Sequence, residues 1–144
     1  MNEFFKILLT SGLTIIGGIT IFALTKVIER FQVDPIIELN NLRGEIATYL
    51  IINANKFGYP KVNGEELKTL SFDLRNLSAK LRGTVFKISF YNFYFRLGLI
   101  PKRIDVINAS SSMIGLSNTI SSPDFDQINK YERKIEKLLK LNLD

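Results

Sequence analysis

The sequence predicts an all-α protein: a single N-terminal transmembrane helix followed by a cytoplasmic α-helical bundle. Three observations carry this expectation. Residues 7–25 contain no charge, apolar side chains further along recur every three to four positions, and only four prolines interrupt 144 residues. With 46% of residues apolar and nine glycines, the chain is too apolar for disorder and too glycine-poor for a collagen-like repeat. Its length suits one compact domain plus one extra segment, which excludes a large multidomain enzyme.

The uncharged stretch ILLTSGLTIIGGITIFALT is bracketed by Lys6 and Lys26. Nineteen helical residues reach about 28 Å, close to the thickness of a bilayer's hydrocarbon core. A cleaved signal peptide has a shorter apolar run behind a basic start, whereas here Glu3 offsets Lys6 and the pattern continues through Val27 and Ile28. A buried core helix is the competing reading. The expected division is a membrane helix over 1–31 and a helical, ligand-sensing domain over 32–144. Lys6 alone precedes the span, while Lys26, Arg30 and Arg43 follow it, which places the C-terminal domain in the cytoplasm of an inner-membrane, single-pass protein.

Small and hydroxylated residues are frequent within the span. Ser11, Gly18 and Thr25 fall seven apart, and Thr14 lies on the same side, giving one stripe along the helix. Such a stripe lets helices approach closely and self-associate, and a hydroxyl-lined seam between parallel copies could admit ions. The plainer reading is that threonine and glycine are simply tolerated in membrane helices.

Beyond the span, Asp34-Pro35 is a helix-start signal, and Leu39, Leu42, Ile46, Tyr49, Leu50 and Asn53 repeat at helical spacing towards Gly58 and Pro60. So few residues separate this helix from the span that the two are expected to be nearly continuous. Asn63 with Glu66 resembles a capping box, and Leu67, Leu70, Leu74, Leu77 and Leu81 form a stripe expected to end before Gly83. Residues 84–98 are dense in aromatics and fit a strand, with Ile88, Phe90, Asn92 and Tyr94 on one face, as well as a helix. Pro101 opens a further helix with Ile104, Ile107, Ser111 and Ile114 on one face. Ser122-Pro123-Asp124 starts a last one through Phe125, Ile128, Tyr131, Ile135 and Leu138.

The chemistry available is narrow. Cysteine and histidine are absent, which removes disulfides, thiolate nucleophiles, imidazole bases and zinc sites with nitrogen or sulfur ligands. No phosphate-cradling glycine loop, Ser-x-x-Lys pair or carboxylate cluster with metal-ligand spacing occurs, so neither an enzyme nor a cofactor is expected. Charge is the stronger signal, at +5 overall. Between Asp73 and Asp105 there is no acidic residue, yet Arg75, Lys80, Arg82, Lys87, Arg96, Lys102 and Arg103 are all basic, interleaved with phenylalanine and tyrosine. Cations neutralise phosphates and aromatic faces stack on bases, the usual pairing for single-stranded nucleic acid. Arg82, Lys87, Arg96, Lys102 and Arg103 are therefore candidate phosphate contacts, and Tyr91 and Tyr94 candidate stacking platforms. The polar run that begins at Asn108 and includes Ser110, Ser111, Ser112, Ser117, Asn118 and Thr119 could read base edges or neighbouring subunits. A short or cyclic oligonucleotide suits so small a domain better than a long duplex. Two plainer readings stand beside this one: the aromatics fill the core, and the cations face the anionic leaflet.

This order of features, with the stretch FYFRLGLIPKRIDVINASSSMIGLSN over residues 93–118, resembles the small membrane effectors of bacterial antiphage systems. These include the cyclic-oligoadenylate-responsive membrane effectors of type III CRISPR loci and the nucleotide-controlled membrane component of Hailong defence. The resemblance implies a homo-tetramer, a pore or lesion in the bilayer as output, and an adenine-rich oligonucleotide as regulator. The alternative is a membrane-tethered protein-interaction module without channel activity.

Overall fold

The computed structural model describes residues 2–57, 63–120 and 124–141, and among these it is helical with no strand. Helix α1 runs Glu3–Ile28 and, as expected, continues without a break through a π-helical turn, Glu29–Val33, into α2, Asp34–Asn53, and a 3-10 turn, Ala54–Lys56. The remaining helices are α3 (Gly64–Lys87), α4 (Tyr91–Arg96), α5 (Arg103–Thr119) and α6 (Phe125–Leu139).

Asp34-Pro35 does not start a helix; it lies inside one. Pro35 has no N–H to donate and its ring would crowd the carbonyl four residues back. The helix takes up an extra residue at that point, the Asp34 N–H donating to the Glu29 carbonyl in a π-type turn.

Helices α2, α3, α5 and α6 form an antiparallel four-helix bundle. Pairs along α2 and α3 fix their direction: Glu38 meets Lys87, Glu45 meets Lys80, and the Tyr49 hydroxyl donates to the Leu70 carbonyl. Along α3 and α5, Arg82 meets Ser111 and Ser71 meets Ser117. The ring closes where Arg43 Nε on α2 donates to the Leu139 carbonyl at the end of α6. The end of the bundle nearest α1 therefore holds the start of α2, the end of α3, all of α4, the start of α5 and the end of α6.

Leucines at helical spacing build the core, with Leu39, Ile46, Leu74, Leu81, Val85, Val106, Met113, Leu116, Ile135 and Leu139 almost wholly enclosed. The α3 stripe is buried as its spacing predicts, but the helix does not stop at Gly83. Thr84 and Val85 are buried one turn after Leu81 and extend the same face, so packing overrides the weak helix propensity of an exposed glycine. Residues 84–98 resolve as helix, turn and helix. Asn63 caps α3 by accepting from the Glu65 N–H, while the Glu66 carboxylate turns to Lys56 at 2.8 Å instead of closing a capping box. Asp124 caps α6 through the Gln127 N–H, at the helix start expected there. Ser122, Pro123, Gly58 and Pro60 lie outside the described residues.

The face of α5 bearing Ile104, Ile107, Ser111 and Ile114 is the outward one, with Ile104 and Ile114 exposed. Its inward face carries Val106, Ala109, Ser110, Met113 and Leu116. Small residues there let the neighbours come close. A Cβ on Gly115 would sit 2.5 Å from Tyr131 Cε1 of α6.

Candidate functional site

The seam between α3 and α5 is locked by two serines. Ser78 and Ser110 are buried with their Oγ atoms 2.8 Å apart, and each hydroxyl also lies within hydrogen-bond reach of the other's carbonyl, at 2.9 and 3.1 Å. Serine is a poor helix former, but here every such group has a partner, which is what a buried polar pair requires.

Outside this lock the seam opens into a groove of about 420 Å³ lined by Arg75, Ser78, Ala79, Arg82, Ser110, Ile114 and Asn118. Arg75 and Arg82 are seven residues apart on α3, two turns or about 10 Å along one face. Arg75 Nε donates to Ser117 Oγ at 3.2 Å and one terminal nitrogen donates to Asn118 Oδ1 at 2.7 Å. An Arg82 terminal nitrogen donates to Ser111 Oγ at 2.9 Å, while its Nε is buried without a partner. Neither guanidinium has a carboxylate within 4 Å among the described residues, whereas Lys56, Lys80 and Lys87 do. Two uncompensated planar forks held by neutral oxygens favour an oxyanion, which can accept two parallel N–H bonds from each.

The expected ligand residues are dispersed by the fold. Of the phosphate and stacking candidates only Arg82 lines the groove, joined by Ser110 and Asn118 of the polar run. Lys87 is bound to Glu38 at 2.9 Å, and Thr84 also donates to that carboxylate; the Lys87 hydrogen bond, reinforced by Thr84 and opposed by partial burial, holds the Glu38 carboxyl below its ordinary range. Tyr91 is buried and its hydroxyl donates to the Pro101 carbonyl at 3.0 Å, leaving no free ring face for stacking. Burial pushes its phenol up to about 12 against the opposing charges of Arg103 and Arg43. Tyr94 is half-buried and donates to Gln32 in the π turn. Lys102 sits over the Phe95 ring at 5.8 Å, Arg103 over Phe86 at 5.3 Å, and Arg96 is exposed; all three belong to the end of the bundle nearest α1. Asn108 is exposed on α5, its carbonyl accepting from Ser112.

Arg75 and Asn118 are the groove residues that charge counting did not single out. Their signal was positional: arginines at seven-residue spacing on one helix, opposite a serine-rich helix.

Every described residue of α1 lies outside the core. The helix is long and apolar enough to cross a membrane once. Ser11, Thr14, Gly18 and Thr25 share an arc of about 60° at 100° per residue. Thr14 and Thr25 donate their hydroxyls to the carbonyls of Thr10 and Ile21, so these hydrogens are satisfied within the helix. Gly12, Gly17 and Gly18 have open space where a Cβ would be.

No family model, no curated protein and no solved structure matches the chain.

Proposed function

We propose that the protein is a homo-oligomeric, single-pass membrane effector, an ion channel or pore controlled by an oligonucleotide or cyclic nucleotide held by its cytoplasmic bundle. The setting in antiphage defence follows from the resemblance of its feature order to such effectors. One observation supports this above all: α1 contributes nothing to the core, yet it continues unbroken into α2, whose inner face helps to build that core. A change in how α3, which packs against α5 on its other side, sits on α2 is therefore delivered directly to the membrane helix.

The ligand site best supported is the α3/α5 groove. Arg75 and Arg82 would take phosphate oxygens and Asn118 a base edge or ribose hydroxyl, while Ser78 and Ser110 hold the floor. In the bilayer, copies of α1 would meet along Ser11, Thr14, Gly18 and Thr25, with close approach at the glycine supplying the packing. A ligand changes the channel only by favouring one arrangement of the bundle over another. The cations after the span support a cytoplasmic position for the bundle.

The hydroxyls satisfied inside α1 favour a second reading, a tether for a protein-interaction bundle, because such a helix needs no partner in lipid. Ion flux from liposomes holding the purified full chain separates the two. The channel reading expects flux that responds to a cyclic oligoadenylate and falls with Gly18→Leu, and calorimetric binding of that probe that is lost with Arg75→Glu plus Arg82→Glu. Absence of flux with and without the probe supports the tether. Binding unchanged by both reversals removes the groove as the site.

A further inference from the structure

The turn and short helix that join α3 to α5 expose four large apolar side chains: Phe90 at 76%, Phe93 at 58%, Leu97 at 57% and Leu99 at 51%. They line no core. Phe90 also adopts a left-handed backbone conformation, φ 51°, which is unusual for a bulky residue and here turns its ring outward.

Position gives this patch its meaning. The Tyr94 hydroxyl donates to Gln32 Oε1 at 3.1 Å, and Asn40 Nδ2 donates to the Leu99 carbonyl at 3.4 Å, so the segment lies against the chain just beyond α1. Gln32 comes seven residues after Thr25, about 10 Å along the helix, which is the depth of the lipid headgroups when residues 7–25 fill the hydrocarbon. Arg96 lies within the segment and Lys102 and Arg103 flank it over the Phe95 and Phe86 rings, and none of the three has a carboxylate within 4 Å among the described residues. Aromatic rings ringed by cations are the composition of a membrane interface.

We propose that residues 90–99 form an interfacial foot, inserting Phe90, Phe93 and Leu97 at the headgroup boundary while Arg96, Lys102 and Arg103 engage phospholipid phosphates of the anionic leaflet. This rests on α1 spanning the bilayer. A second copy of the chain is a poorer occupant, because facing the same patch would bring like charges together. The foot fixes the stance of the bundle against the membrane, and the basic aromatic segment then serves lipid rather than nucleic acid.

The chain has no tryptophan, so single reporters can be placed in the full protein. Phe22→Trp, Phe93→Trp and Phe72→Trp are reconstituted in phosphatidylglycerol vesicles whose acyl chains carry bromine at deep or shallow positions. Phe22→Trp is expected to be quenched by deep bromines, Phe93→Trp by shallow ones, and Phe72→Trp, on the far half of α3, by neither. Arg96→Glu with Lys102→Glu and Arg103→Glu should remove the shallow quenching of the Phe93→Trp reporter while leaving that of Phe22→Trp intact. Phe93→Trp unquenched while Phe22→Trp is quenched overturns the foot and leaves the span standing. Blue-shifted but unquenched Phe93→Trp emission assigns the patch to a protein contact and equally overturns it. Phe22→Trp unquenched removes both.

Discussion

The Tyr94 hydroxyl donates to Gln32 Oε1 at 3.1 Å, joining two residues 62 positions apart. One stands on the short helix that caps the bundle, the other in the π turn where the apolar helix passes into the core. Tyr94→Phe keeps the ring and deletes the donor, at a cost of about 1 kcal/mol. We expect faster amide hydrogen exchange across residues 90–99 and a melting temperature lowered by no more than a few degrees. Exchange identical to that of the parent would mean that the contact holds nothing in place.

Two glycines in helices should respond to alanine with opposite signs. Gly83 is exposed with open space around a Cβ, and Gly83→Ala should stabilise by up to about 1 kcal/mol. Gly115 faces Tyr131 at a distance no Cβ tolerates, and the steric cost of about 1–3 kcal/mol outweighs the same propensity gain. Thermal melts should therefore rise for the first variant and fall for the second. Removing part of the Tyr131 ring alongside Gly115→Ala should recover some of the loss.

How much of this was legible beforehand depended on the range of the physics involved. Local signals read well: the leucine spacing of α3, the helix starts at Asn63 and Asp124, and the near-continuity of α1 and α2 all follow from neighbours within one or two turns. Asp34-Pro35 misled because a proline at a helix start and a proline accommodated by a π turn share one local sequence. Gly83 misled because Thr84 and Val85 find their partners on other helices. On α5 the isoleucines drew attention, yet Val106, Ala109, Ser110, Met113 and Leu116 face inward, since the helix packs between α3 and α6 and that face is set by tertiary contacts. The α3/α5 groove was half visible, through Arg82. Arg75 was counted among the cations but could not be distinguished from those whose end of the bundle, set by tertiary packing, lies beside α1.

Glu38 supplies a pH dependence. Lys87 and Thr84 hold its carboxyl below the ordinary 4.5, so the ionised pair contributes stability above that value and loses it as pH falls through the lowered one. Both side chains are about half exposed, so solvent screening keeps the contribution below about 1 kcal/mol. Melting temperature against pH should show Glu38→Gln below the parent at neutral pH and the two curves converging under acid conditions. A constant gap at every pH would contradict the pairing.

Glu132 should behave in the opposite way. It is partly buried on α6 beside Leu50, Ala54 and Glu136, and desolvation alone raises its carboxyl above the ordinary range. The burdened carboxylate costs stability above the raised value, and that cost is absent below 4.5. Glu132→Gln should therefore melt higher than the parent at neutral pH, with the advantage shrinking as the solution is acidified. A lower melting point at neutral pH would show that the carboxylate is a needed partner.

Residence of α1 in lipid is tested most directly by alkaline carbonate extraction of membranes from cells expressing the full chain, followed by density flotation. The expected result is that the protein floats with the lipid and is released only by detergent. Recovery in the aqueous fraction as a soluble monomer, with no detergent present, would contradict it.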